Sequence, residues 1–310
     1  MPNSVLHDLP TPLALVCHDA GAANLIFSWI RMAMATHPEE MRNWHLLLKG
    51  PAEKLWTRNF STQIHLCRNI DELLDGVRIL VSGTGWASNL EYDALKIARQ
   101  RNIPTIAVID HWTNYRDRFI RNGIEVLPDT IWVTDVDAKI IAENEFNTVK
   151  VIQKPNVYLE KILQEINSNK FTDDDNILYL LEPVRDAWGN GKISGEFIAL
   201  NYFINNLNIL GGRDKPSIRL RPHPSDPLGK YDQWINEQKH INISLDREID
   251  LAKSIAWSNM VIGCQTYAMV IALSAGKKVF SSIPPWAPSC VLPQKGILKI
   301  SELIQNKIVR

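Results

Sequence analysis

The chain sets an arginine and a histidine in a proline-stiffened stretch, Arg221-Pro222-His223-Pro224, directly after a β-rich run from Ser217 to Arg221. In open parallel sheets, ligands collect beyond the carboxyl ends of strands. The prolines fix the backbone around His223, so Arg221 and His223 lose little freedom on gripping an anion. A second loop, Gly263-Cys264-Gln265-Thr266, lies between an apolar run from Met260 and a helical run from Ala268 to Ala275. A glycine turn with a hydroxyl at a helix start offers free backbone N–H groups and the positive end of the helix dipole, which together cradle phosphate. Either loop alone is ordinary turn chemistry; their succession within one βαβ pattern is what points to an anion.

The first half carries three polar clusters at predicted strand ends. His18 and Asp19 follow the run Leu13 to Cys17, Gly83-Thr84-Gly85 follows Val77 to Ser82, and Asp110-His111-Trp112 follows Thr105 to Ile109. A carboxylate or imidazole so placed can remove a proton from a bound hydroxyl. Asp110 and Asp19 are the leading candidates for that base, with His18 and His111 behind them. Each has a structural alternative, since an aspartate after a strand commonly caps a turn. Gly83-Thr84-Gly85 either receives an anionic group or is an unstrained turn. In the second half, Glu182 ends the run Ile177 to Leu181 and is a candidate partner for a base or a ribose.

Strand-like and helix-like runs alternate along the chain, which predicts doubly wound parallel sheets. Helices are expected over 25–36, 88–100, 157–169, 195–207 and 298–308, with Ser88 and Glu91 as a capping box for the second of these. The acidic break Asp173-Asp174-Asp175 marks the domain boundary. The expected division is an N-terminal acceptor domain over 1–156, a linker helix and break over 157–175, and a C-terminal nucleotide-binding domain over 176–310.

The length of 310 residues suits two domains of about 150 residues each. Lys and Arg total 34, and Asp and Glu total 34, so no global field exists to hold nucleic acid. No apolar run reaches the roughly 20 residues of a membrane span, and no secretory leader opens the chain. A cytoplasmic protein is expected, compatible with peripheral contact at a membrane. Cys17, Cys67, Cys264 and Cys290 form no metal-ligand spacing, so no metal site and no cofactor are expected. The acidic strings at Asp135-Val136-Asp137 and 173–175 read as a helix start and a linker. Trp86, Trp112, Trp188 and Trp286 fall in predicted loops, where they suit stacking on a sugar or base, or plug the space between domains.

Taken together, Arg221-Pro-His223-Pro, the run Trp257-Ser-Asn-Met-Val-Ile-Gly263 and Ala272-Leu-Ser-Ala-Gly276-Lys-Lys-Val resemble the nucleotide-binding domain of GT-B glycosyltransferases. The likeness is to the bacterial surface-polysaccharide branch, where sialyltransferases and polyol-phosphate transferases share a His-Pro motif. It covers roughly residues 176 to 285. The resemblance implies two Rossmann-like domains facing across a cleft, with His223 and Thr266 on the donor phosphate; the residues' own positions add Arg221 on that phosphate, Gly263 and Gln265 in the later loop, and Glu182 on a base or ribose. The activity it implies is metal-independent, inverting transfer of a sugar from a nucleotide sugar to a glycan or lipid-linked glycan acceptor. The alternatives are a nucleotide-sugar epimerase or hydrolase of the same architecture, or a non-catalytic nucleotide-sugar-binding protein. The family often has serine followed by glutamate in the later loop, whereas this chain has Thr266 and no acid at the matching helix turn.

Overall fold

The computed structural model describes residues 5–61, 64–85, 87–169, 175–189, 191–211 and 216–308. Trp86 and most of the acidic break, Asp173 and Asp174, lie outside the described residues. The chain forms two units, Met1–Tyr158 and Leu159–Arg310, so the division falls within the helix expected to link them.

In the first unit, β1 (Leu13–Cys17), β2 (Trp44–Leu48), β3 (His65–Leu66), β4 (Ile79–Ser82) and β5 (Thr105–Val108) precede a small hairpin of β6 (Ile120–Arg121) and β7 (Ile124–Glu125). Then come β8 (Thr130–Val133) and β9 (Lys150–Gln153). The sheet has seven strands in the order β3-β2-β1-β4-β5-β8-β9, and every pairing in it is parallel. Its helices are α1 (Ala20–Thr36), α2 (Gly50–Asn59), α3 (Ile70–Leu73), α4 (Leu90–Gln100) and α5 (Val136–Glu145), and α6 (Val157–Ser168) leaves the unit.

The second unit repeats the plan. Strands β10 (Asn176–Leu180), β11 (Ser217–Arg221), β12 (Ile243–Leu245), β13 (Met260–Gly263), β14 (Lys278–Ser281) and β15 (Ile297–Lys299) lie in the order β12-β11-β10-β13-β14-β15, all parallel. Helices α7 (Gly195–Asn205), α8 (Asp232–Glu237), α9 (Leu251–Trp257), α10 (Tyr267–Ser274) and α11 (Ile300–Ile308) alternate with them.

The central strands β1, β4, β5, β10 and β13 are buried at every residue and read as apolar runs with polar residues only at their ends. β11, one strand from the edge, instead alternates buried and half-buried residues. Each sheet has its own core: Leu13, Leu15, Trp29, Trp44, Val81 and Trp132 in the first unit, and Tyr179, Phe203, Leu220, Ile262 and Phe280 in the second.

Two local expectations differ. The start of the expected terminal helix is strand β15, and α11 begins only at Ile300. The expected capping box does not form: Ser88 Oγ accepts the Leu90 N–H at 3.1 Å, while the Glu91 carboxylate turns inward to other partners. Among the described residues no helix is long and apolar enough to cross a membrane.

Candidate functional site

In each sheet the strand order reverses direction beside its first strand, at β1/β4 and at β10/β13. Loops diverge at such a switch point and leave a crevice at the carboxyl ends of the two strands. His18 and Asp19 follow β1 and Gly83-Thr84-Gly85 follows β4; Glu182 follows β10, and Cys264-Gln265-Thr266 follows β13.

At the first switch point a residue expected only as half of a capping box is central. Glu91, 1% exposed, accepts the His18 N–H on Oε1 at 3.0 Å and the Gly85 N–H on Oε2 at 2.7 Å. One carboxylate thus ties the loops after β1 and β4 together. The glycines make room for it: a Cβ on Gly83 would lie 2.3 Å from Glu91 Oε1, and one on Gly85 would lie 2.2 Å from Asp19 Oδ2. Burial pushes the Glu91 carboxyl up to about 7, with the charge of Asp19 acting in the same direction and the two amide donors opposing it.

His18 Nδ1 stands 2.6 Å from Asp19 Oδ1. A carboxylate accepts, so the Nδ1 proton faces Asp19 and Nε2 carries the lone pair. Gly50, at φ 57°, sits against that nitrogen, where a Cβ would come within 2.6 Å of Nε2. Asp110 Oδ1 accepts from Arg118 Nη1 at 3.0 Å, and the same nitrogen donates to Thr84 O and Oγ1 at 3.2 and 3.1 Å. The other Asp110 oxygen lies over the first turn of α1, where the helix dipole favours negative charge. His111 Nδ1 lies 3.1 Å from Thr113 Oγ1. Burial lowers the His111 pKa, opposed by Asp110 and assisted by Arg118. Beneath this cluster Cys17 is fully buried, and burial, then the charges of Glu91, Asp110 and Asp19, push its thiol pKa well up.

At the second switch point Glu182 Oε2 accepts the Gln265 N–H at 2.9 Å, so a half-buried glutamate again joins the two loops. Burial raises its pKa and that hydrogen bond lowers it. Gly263 packs so closely that a Cβ would meet Met269 Sδ at 3.0 Å and Leu180 O at 3.1 Å. Gln265 Oε1 accepts the Val291 N–H at 3.2 Å. Thr266 is the N-cap of α10, yet its side chain makes no capping bond.

His223 follows β11 and is oriented from two sides. Its N–H donates to Asp226 Oδ2 at 3.0 Å, and the Ser225 N–H donates to its Nδ1 at 3.2 Å. A ring accepting at Nδ1 carries its neutral-state proton on Nε2, ready to donate. Burial lowers its pKa, with Asp226 opposing and Arg185 and Lys230 assisting, which favours that neutral donor. Asp226 is itself held by Lys230 Nζ at 2.7 Å and the Tyr231 hydroxyl at 3.0 Å.

Arg221, expected on the anion, is engaged elsewhere. Its guanidinium donates to Asp246 Oδ2 at 2.7 Å, Ser254 Oγ at 2.8 Å and the Glu248 and Ile249 carbonyls, both at 2.9 Å, fixing the segment between β12 and α9. The cation with free donors near His223 is Arg185, an exposed residue at φ 50° whose guanidinium has no hydrogen bond or ion pair among the described residues. Its N–H donates to Glu196 Oε2 at 2.7 Å; Glu196, 2% exposed, also takes Lys230 Nζ at 2.5 Å.

Among the loop tryptophans, Trp112 is 6% exposed and donates to both oxygens of Asp135, at 3.0 and 3.1 Å, so it braces the start of α5. Trp188 and Trp286 meet edge to face at 6.1 Å in the second unit, with Trp286 largely exposed.

No protein-family model and no curated sequence matches the chain. Solved structures do. A presumptive UDP-N-acetylglucosamine 2-epimerase from Listeria monocytogenes aligns over 96% of this chain and 86% of its own at 11% identity, with a TM-score of 0.64. The UDP-GlcNAc 2-epimerase from Neisseria meningitidis, solved with UDP-GlcNAc bound, aligns over 87% and 81% at 12% identity and a TM-score of 0.58. A glycotransferase of kitacinnamycin aligns over 97% and 90% at 11% identity and a TM-score of 0.54. These likenesses define the class of fold: an α/β protein of two Rossmann-like parallel sheets, of the GT-B type.

Proposed function

We propose that the chain is a nucleotide-sugar enzyme: the second unit carries groups suited to a donor's phosphate, and the first carries candidate acid–base groups. The reading rests above all on the second switch point, where the His223 Nε2–H, the unpaired Arg185 guanidinium and the uncommitted Thr266 hydroxyl occupy the loops after β11, β10 and β13. A neutral imidazole donor, a cation and a helix start are complementary to a phosphate and stabilise the charge that grows on it as it leaves. Gly263, Gln265 and Glu182 shape the adjoining wall.

The reaction we propose is metal-independent, inverting glycosyl transfer to a glycan or lipid-linked glycan acceptor in bacterial surface-polysaccharide assembly, on the cytoplasmic side. In that scheme His18 Nε2 takes the proton from the attacking hydroxyl, while Asp19 holds the ring's tautomer and stabilises the imidazolium that forms. Asp110 and His111 line the same site. A second reading, a nucleotide-sugar epimerase, is favoured by the epimerase names of three structures with the same fold.

Thermal-shift measurements against CMP, CDP, UDP, GDP and their sugars test the donor site, since a ligand at 100 times its Kd adds about 2.7 kcal/mol of stability. One nucleotide series should raise the melting temperature, and His223→Ala should abolish that response. NMR of the reaction then separates the readings: transfer yields an inverted glycoside only when acceptor is present, whereas epimerisation changes the sugar without one. Absence of any nucleotide response would overturn both.

A further inference from the structure

We propose that His65, Cys67 and Glu72 form a binding site for a thiolate-accepting divalent cation of the zinc class at the outer edge of the first sheet. Their donor atoms all lie within 4.8 Å of one another. His65 and Cys67 are two residues apart on extended chain and so project to one side, and Glu72 comes up to them from the single turn of α3.

The carboxylate is set in place before any ion arrives. Glu72 Oε2 accepts the Arg68 N–H at 2.9 Å, and the Glu72 N–H donates to Asn69 Oδ1 at 2.9 Å. That leaves Oε1 directed at His65 Nε2, 3.3 Å away. A ligand oriented by its own hydrogen bonds pays less entropy on coordination, as supporting contacts do in established metal sites. Tetrahedral zinc, with Zn–N near 2.1 Å and Zn–S near 2.3 Å, places its ligands about 3.5 Å apart, so the three donors need to close by roughly 1 Å. His45 lies in register with His65 on β2, the rings 5.4 Å apart. Its Nδ1 faces the Leu73 carbonyl at 3.3 Å, which leaves Nε2 with the lone pair. The fourth position falls to this ring or to water.

The donor set selects the ion. Magnesium and calcium take hard oxygen ligands, whereas imidazole, carboxylate and thiolate together suit zinc. Entry of the cation releases the Cys67 thiol proton to solvent, moves the His65 proton that faces Glu72 from Nε2 to Nδ1 or to solvent, and replaces the His65–Glu72 contact with two bonds to metal, with no change of oxidation state. The site also falls where the sheet is weakest: β3 pairs with β2 through only His45↔His65 and Leu46↔Leu66.

Cobalt(II) added to the full-length, tag-free, chelator-stripped protein tests the proposal. The expected result is one equivalent bound, with a thiolate-to-cobalt charge-transfer band in the near ultraviolet that zinc abolishes. Cys67→Ser should lose the band, Cys290→Ser should keep it, and His65→Ala and Glu72→Gln should each weaken cobalt affinity by at least about tenfold. His65 is half exposed, so its removal leaves the core untouched and that comparison stands even if the Cys67 variant folds poorly. No thiolate band at saturating cobalt, or a band of full strength with unchanged affinity in His65→Ala, overturns the site.

Discussion

Asp110 Oδ2 lies where a side chain on Gly21 would begin: a Cβ there would be 1.6 Å from that oxygen. The contact admits the carboxylate to the start of α1 while Arg118 holds its other oxygen at 3.0 Å. Gly21→Ala should therefore expel Asp110 from this position and cost about 1–3 kcal/mol, the range for disturbing a part-buried polar network. Chemical denaturation measures it, and a crystal structure of the variant should show the Asp110 carboxylate turned away from α1. Unchanged stability and an unmoved Asp110 would contradict the account.

Glu91 makes a prediction about pH. Its carboxyl is raised from 4.5 in the unfolded chain to about 7 in the fold, so between those values the native state holds a proton that the unfolded state has lost. Stability must then fall as pH rises through that window, by about 1.4 kcal/mol per unit and on the order of 3 kcal/mol in all. Glu91→Gln removes this component but leaves one of the two amides poorly paired. The variant should be less stable than the parent near pH 5, with the gap narrowing toward pH 7. A gap that stays constant over that range would show that Glu91 ionises normally.

Thr266 and His223 should separate binding from stability. An N-cap threonine replaced by alanine ordinarily costs about 1 kcal/mol, yet Thr266 makes no capping bond. Thr266→Ala should leave the melting temperature of the free protein nearly unchanged and weaken the nucleotide response, measured by calorimetry, by about tenfold or more. A drop in stability without loss of affinity would make the hydroxyl structural.

Glu196 is a supporting residue. It is buried and joins the Arg185 amide to Lys230, which in turn holds Asp226 and through it the His223 amide. Glu196→Ala leaves Lys230 paired with Asp226 alone and the Arg185 amide without its acceptor, and should cost about 1–3 kcal/mol, as removing one partner from a buried polar network does. Glu196→Gln retains an acceptor for Arg185 and should recover part of that loss while still lowering nucleotide affinity. Equal stability of the parent and both variants, by urea denaturation, would exclude the network.

How much of this was legible in the chain depends on where each contact closes. β1, β10 and β13 stood out because burial on both faces leaves an uninterrupted apolar run, and β11 ends at Arg221 because Pro222 cannot continue the ladder. Strands β9 and β15 are short and only partly buried, so their periodicity is weak. Glu91 looked like half of a capping box because Ser88 stands three residues before it, while the partner that decides its role, His18, is 73 residues away. Arg221 drew the expectation of anion binding and Arg185 drew none for a similar reason. Which arginine keeps its donors free is settled by Asp246 and Ser254, far along the chain from the motif that drew attention to Arg221.

Cys17, sealed at the end of β1 beneath a ring of negative charge, is a thiol that the native protein silences. Alkylating reagents attack thiolates, so in the intact molecule the half-buried Cys290 should react first. Modification of Cys17 then becomes an internal timer: each labelled molecule records one opening of the loops above it, and a substrate that holds those loops shut would slow the count.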